Sequence, residues 1–172
     1  MKKIWLWQLA GLTFTTVLGT LLHFLYGWTD NIAFAPFSAV NESTWEHMKI
    51  LFFPMLFFAW FQGVFLKKEY VGFWCIKLVG IFFGIVLIPI LFYTYNGILG
   101  QSPAWVNVAI FFLAAIGGYL LETKLFLMGM QCKRSRLAVF LLVAMAVLFV
   151  VFTFAPLPIP LFQDPITWRY GI

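Results

Sequence analysis

The chain reads as an all-α polytopic membrane protein of five transmembrane helices, N-terminus in and C-terminus out, and three observations predict it. Of 172 residues, 63% are hydrophobic and 10% charged, whereas soluble domains average about 45–50% and 25%. Five apolar stretches reach the roughly 20 residues needed to cross a hydrocarbon core. Short polar segments separate them, and lysine and arginine gather in alternate segments.

The first span covers about residues 4–26, after Lys2 and Lys3. Its apolar run exceeds a signal-peptide core and no small-residue cleavage site follows, so it is expected to remain as an anchor. Residues 27–42 form a connection rich in turn formers, with enough apolar residues to fold back towards the membrane. The second span (43–66) carries Pro54 and the third (72–95) carries Pro89. Each proline removes a backbone bond, freeing the carbonyls of Ile50 and Ile85 and favouring a kink. The fourth span covers 104–126 and the fifth 137–155. Gly80 with Gly84, and Ala114 with Gly118, place small residues one turn apart, so spans three and four should pack as a hairpin. Pro156, Pro158, Pro160 and Pro165 then end helix formation, and residues 156–172 are expected to run extended along an apolar surface. The whole chain, 1–172, makes one transmembrane domain without internal repeats.

Orientation follows the bias of lysine and arginine towards cytoplasmic loops. Lys2, Lys3, Lys67, Lys68, Lys124, Lys133, Arg134 and Arg136 fall on one side, with Lys77 snorkelling from the third span. Lys49 and Arg169 fall on the other, where the loop from Asn96 to Pro103 is uncharged. The net charge of +5 is thus a topology signal. Scattered among loops, it forms no face for nucleic acid. Cys75 and Cys132 lack metal or redox spacing and map to the cytoplasmic side, where free thiols are expected.

Polar chemistry concentrates at the outer side. Asn41, Glu42, Ser43, Thr44, Trp45, Glu46 and His47 hold two of six acids and one of two histidines. Ionisable groups at membrane depth are functional candidates. His23, one turn before the end of the first span, and His47, one turn into the second, lie at matched depth and can meet. Glu42, Glu46, Asp164, Tyr93 and Asn96 join them as candidate ligand-binding residues, with Asn107 just inside the fourth span. Ser43 and Glu46 also match a capping box, and Trp45, Tyr26, Trp28, Tyr93, Tyr95, Trp105 and Trp168 an aromatic belt. Neighbouring positions on a helix diverge by about 100°, so Glu46 and His47 cannot both face one small ligand. One of them belongs to the helix start or to a salt bridge with Lys49. Gln8, Gln62 and Lys77 stand isolated in the inner halves.

These residues support an outward-facing His and carboxylate pocket that binds a small molecule, an ion or a lipid headgroup, for transport or sensing. A metal-dependent hydrolase is the alternative, with His23 and His47 as nitrogen ligands, Glu42, Glu46 or Asp164 supplying oxygen, Glu46 foremost, and zinc as cofactor. A structural subunit held by pairs such as Arg169 with Glu42 or Asp30 is another. Haem between the two histidines is the remoter cofactor.

The stretch His23 to Tyr26, the segment Asn41 to His47, the run Phe92-Tyr93-Thr94-Tyr95 with Gly97, and the ending Pro160-Leu161-Phe162, Asp164-Pro165 and Tyr170-Gly171 carry a resemblance. The chain resembles a family of small bacterial multi-pass membrane proteins to which no activity is attached. The resemblance spans nearly the whole chain and implies a bacterial cytoplasmic membrane location.

Overall fold

The computed structural model describes residues 2–100 and 103–172; Met1, and Gln101 and Ser102 in the uncharged loop, lie outside the described residues. Its five long helices are α1 (Lys2–Thr29), α2 (Thr44–Leu66), α3 (Phe73–Leu99), α4 (Ala104–Leu127) and α5 (Ser135–Phe154). All five are long and apolar enough to cross a membrane. Short 3-10 turns at Ile32–Phe34 and Pro160–Phe162 interrupt the first connection and the tail. The tail is therefore not simply extended. Gln163 and Tyr170 pair in an antiparallel bridge that folds it back on itself.

Helix α2 occupies the centre, packed against α1, α3 and α5, while α4 bridges α1 and α3 on the far side. Its burial explains why it lacks a polar face: almost every turn meets another helix. Both α2 and α3 run through their prolines as continuous helix. In α2 the carbonyl of Ile50, left without a donor by Pro54, points at Gly19 of α1. A Cβ on Gly19 would lie 2.9 Å from that oxygen and 2.5 Å from the Phe111 ring. Only a glycine admits so close an approach.

The α3–α4 hairpin is the most extensive pairing in the molecule, and it uses the small residues that the sequence singles out. A Cβ on Gly84 would meet the carbonyl of Ala114 at 3.2 Å, and one on Gly118 the carbonyl of Gly80 at 3.0 Å. One turn further along the same antiparallel register, Lys77 Nζ meets Glu122 Oε2 at 2.6 Å, both side chains fully buried. Lys77 therefore does not snorkel. Its ammonium sits among the rings of Phe58, Phe73, Tyr119 and Phe126, 5.5–6.0 Å from their centroids. Gln8 and Gln62 are both buried, each one turn from a member of the Ile4, Leu66, Phe73, Ile76 and Phe126 cluster. Gln8 faces Glu122, whereas the Gln62 amide has no hydrogen-bond partner among the described residues. Thr15 and Tyr119 share a hydrogen bond of 2.8 Å in the same half of the bundle. In hydrocarbon such groups have only each other to satisfy them.

Cys75 and Cys132 are joined in a disulfide, their Cα atoms 6.2 Å apart, which corrects the expectation of free thiols. The first turn of α3 and the α4–α5 loop fall at the same end, within the 4.4–6.8 Å or so that a disulfide spans. At this lysine-rich end Lys3 also donates to Glu69 at 2.5 Å, a bond that holds the exposed Glu69 carboxyl below its usual range.

Gly80 shows how tightly this register is set, since a Cβ there would overlap the Glu122 side chain that Lys77 holds in place. Gly80→Ala is expected to destabilise the purified protein by about 1–3 kcal/mol, the usual range for overpacking. Gly97→Ala, where nothing lies within 4 Å, should leave thermal unfolding in detergent unchanged or slightly raised; equal losses at both sites would contradict this packing.

Candidate metal and ligand site

At the opposite end, the connection between α1 and α2 folds back into the bundle, burying Ala35, Ser38 and Ala39. Its backbone is satisfied locally: Ala39 N–H donates to Leu22 C=O at 3.1 Å, and Ser38 N–H to Phe34 C=O at 3.0 Å. Asn41 ends the loop by accepting the Ser43 N–H at 2.9 Å and donating to the Gly171 carbonyl at 2.8 Å. The tail is thereby tied to the start of α2.

Ser43 caps α2, its hydroxyl accepting the Glu46 N–H at 3.4 Å. The reciprocal half of the capping box is altered. Glu46 reaches past Ser43 to accept the Val40 N–H at 3.1 Å, and its other oxygen accepts from Thr153 of α5 at 3.1 Å. Lys49 completes the group, donating to Glu46 at 2.5 Å, to Ala35 C=O at 2.8 Å and to Thr153 Oγ1 at 2.7 Å. An ammonium has three donors, and all three are used. Glu46 is thus engaged in a closed, buried network, apart from the His, Cys, Asp and Glu atoms that converge near His23 and His47.

His23, Glu42 and His47 do converge. The two rings are 5.3 Å apart between centroids. His23 Nε2 stands 3.7 Å from Glu42 Oε1 and His47 Nε2 stands 3.6 Å from Glu42 Oε2. One ligand atom from each residue falls within 4.8 Å of the others, the one such His, Cys, Asp or Glu trio among the described residues. The separations exceed the roughly 2.7–3.2 Å of a hydrogen bond. These groups face one another without bonding.

Tautomer chemistry sharpens this. His47 Nδ1 lies 2.9 Å from the Ser43 carbonyl, which can only accept, so Nδ1 carries the proton. In a neutral ring Nε2 then presents a lone pair towards a carboxylate. Two electron-rich atoms facing each other call for a proton or cation between them. An oriented histidine whose other nitrogen donates to a backbone carbonyl is also the usual outer support of a metal ligand.

Beside the trio opens a cleft of about 400 Å³ between α1 and α4, in which Asn107 adds a polar side chain to walls of Phe24, Phe111 and Phe112. A hollow of about 10 Å³, near the size of one water, lies against Glu42, Thr44, His47 and Asn107. Other expected members lie elsewhere. Asp164 folds the tail, accepting the N–H groups of Ile166 at 2.7 Å and Thr167 at 3.2 Å, and reaches the cleft only through Ile166, which lines it. Tyr93 and Asn96 are exposed or half-exposed near the end of α3 and line neither cavity. Trp45 is no belt residue either: its indole packs on Phe149, Phe152 and Phe162, joining α2, α5 and the tail. Trp28, Trp105 and Trp168 are exposed near helix or tail ends, as a belt requires. Arg169 pairs through its backbone, its carbonyl accepting the Asp164 N–H.

A model built for one protein family matches residues 1–172, the entire chain. The chain belongs to DUF6512, a family of unknown function. No curated protein and no solved structure matches it. Membership in DUF6512 therefore spans the chain from end to end and leaves the chemistry to the geometry.

The division between the two glutamates is directly measurable. Glu46→Gln or Lys49→Met alone should cost about 3–5 kcal/mol, because each leaves a buried charge without its partner, and the double variant should recover part of the loss. Glu42→Gln should leave the melting temperature almost unchanged; a large loss there would make the trio a structural clasp.

Proposed function

We propose that this DUF6512 protein is a membrane-embedded binding protein whose outward-facing site holds a divalent transition-metal ion on His23, Glu42 and His47. The observation that carries this reading is the convergence of three donors that do not bond to one another, two of them separated from the third by 3.6 and 3.7 Å. Ligands about 2.0–2.2 Å from a tetrahedral zinc stand roughly 3.4 Å apart, so small rotamer changes would close the site. Imidazole with carboxylate suits zinc and its neighbours better than calcium or magnesium. Three protein ligands leave a fourth position for a polar ligand, which suits a role in binding for transport or sensing. The water-sized hollow at Glu42 and His47 favours a second reading, in which the metal polarises a bound ester or phosphate for hydrolysis.

The outward assignment rests on eight of the 11 lysines and arginines lying at the opposite end. On this assignment the trio faces away from the cytoplasm, and the family resemblance supports a bacterial cytoplasmic membrane as its location. The disulfide at the lysine-rich end pulls the other way, since disulfides persist in oxidising compartments. The charge bias is the stronger signal, because eight basic residues in or beside the short connections bias insertion, whereas the disulfide involves a single pair of cysteines.

Metal analysis of purified protein should find about one zinc per chain after equilibration and dialysis, and His23→Ala, His47→Ala and Glu42→Gln should each weaken binding about 10-fold or more without loss of fold. Acidification should release the metal, since protons compete for imidazole nitrogen. Wild-type protein that retains no metal at neutral pH would overturn the reading. For orientation, Ile98→Cys in a background with Cys75→Ser and Cys132→Ser should be labelled from outside intact cells by an impermeant thiol reagent. Protection of that introduced thiol, together with labelling of a Lys68→Cys variant in the same background, would invert the topology.

A further inference from the structure

The cleft beside the trio is oriented towards lipid rather than water. Phe24 and Thr20 on α1, and Val108 and Phe112 on α4, line it and are exposed on the sides of helices long enough to cross a membrane. Exposed side chains at that depth face acyl chains. From His23 the cleft descends one turn to Gly19, about 6 Å along the helix, where the missing side chain leaves a floor formed by Phe111 and Ile50. At its upper end the polar groups are His23, Glu42, His47 and Asn107, and Ile166 of the tail also lines it. The Asp164 carboxylate fixes that turn of the tail. Such a site is polar at one end and apolar along its length.

We infer that this cleft binds a phospholipid with an anionic phosphate headgroup, entering sideways between α1 and α4, its phosphate on the metal at His23, Glu42 and His47 and its acyl chain along Phe24, Val108 and Phe112. The inference rests on the metal reading for the headgroup and on the cleft alone for the chain. Charge selects the headgroup: a divalent cation with one carboxylate and two neutral imidazoles leaves one net positive charge. Size suits the ligand, since about 400 Å³ falls within the range of roughly 300–1,000 Å³ that holds a small organic molecule or part of a larger one.

The test uses full-length, zinc-equilibrated protein in nanodiscs containing a phosphatidic acid with a diazirine in its acyl chain. After irradiation, mass spectrometry should place crosslinks on the α1 and α4 segments around Phe24 and Phe112. Val108→Trp fills the cleft without touching a metal ligand, so it should keep one zinc per chain and lose about 10-fold in those crosslinks; Thr20→Phe serves if that variant does not accumulate. His47→Ala should lose zinc and also lose the preference for phosphatidic acid over phosphatidylcholine. Crosslinks spread evenly over every lipid-facing helix, unchanged by Val108→Trp or Thr20→Phe, would overturn the lipid site while leaving zinc binding intact. Equal crosslinking of the two headgroups in zinc-loaded wild type would overturn headgroup selection by the metal. Absence of zinc, with cleft crosslinks retained, would sink the metal reading and the headgroup assignment, leaving an apolar chain site.

Discussion

Three donors on one ammonium organise the histidine end of this molecule. Among the described residues, Lys49 is the only lysine or arginine within the helices near that end, and it is wholly buried. Unpaired, such a charge would cost several kcal/mol. The chain offsets that cost by bringing Glu46 from the same helix, Ala35 from the folded-back connection and Thr153 from α5 to one point. The connection, α2 and α5 are therefore locked together by electrostatics in a setting where apolar burial alone gives no strong preference, lipid being as apolar as the helices themselves. Glu42 leaves this lock at a defined height, and the tail is fixed to the same region through Asn41 and Trp45.

The lysine-rich half solves the same problem differently. There the Lys77–Glu122 pair is joined to close backbone approach in the α3–α4 hairpin, and the glycine opposite Glu122 makes room for its side chain. Both halves thus pair a buried lysine with a buried glutamate, one within a single helix and one between helices. Neither depends on the trio.

The spans were legible because length and apolarity suffice to define them, and boundaries fell within a few residues except at the end of α3, which continues to Leu99. The hairpin was legible from its small residues. The Lys77–Glu122 pair was present in the same signal: stepping from Gly84 with Ala114 to Gly80 with Gly118 and on by one turn arrives at the pair. Treating Lys77 alone, as a long side chain near a helix end, hid that register. The disulfide was hidden by the compartment assigned to its end, although its residues fall at one membrane face. His23 and His47 could be matched in depth because each lies one turn inside a helix end, which fixes height without tertiary knowledge. Tyr93, Asn96 and Asp164 share that height but not the side of the bundle. Height is set by sequence distance from a helix end, whereas azimuth is set by packing.

Azimuth is also what separates the two glutamates, and it explains why the less buried one is the ligand candidate. Glu46, within the first turn of α2, points into the protein and meets a cation and two donors that use its lone pairs. Glu42 precedes the helix, so its direction is set by the loop that Asn41 fastens to the tail, and its carboxylate stays partly exposed between two imidazoles at distances too long for hydrogen bonds. A carboxylate whose lone pairs are already used stabilises a fold but cannot exchange partners. One that faces the Nε2 of His47, at the mouth of an apolar cleft, is the carboxylate that the proposed cation would meet. The same short segment therefore supplies a buried, paired charge and a partly exposed one, four residues apart, by placing the helix start between them.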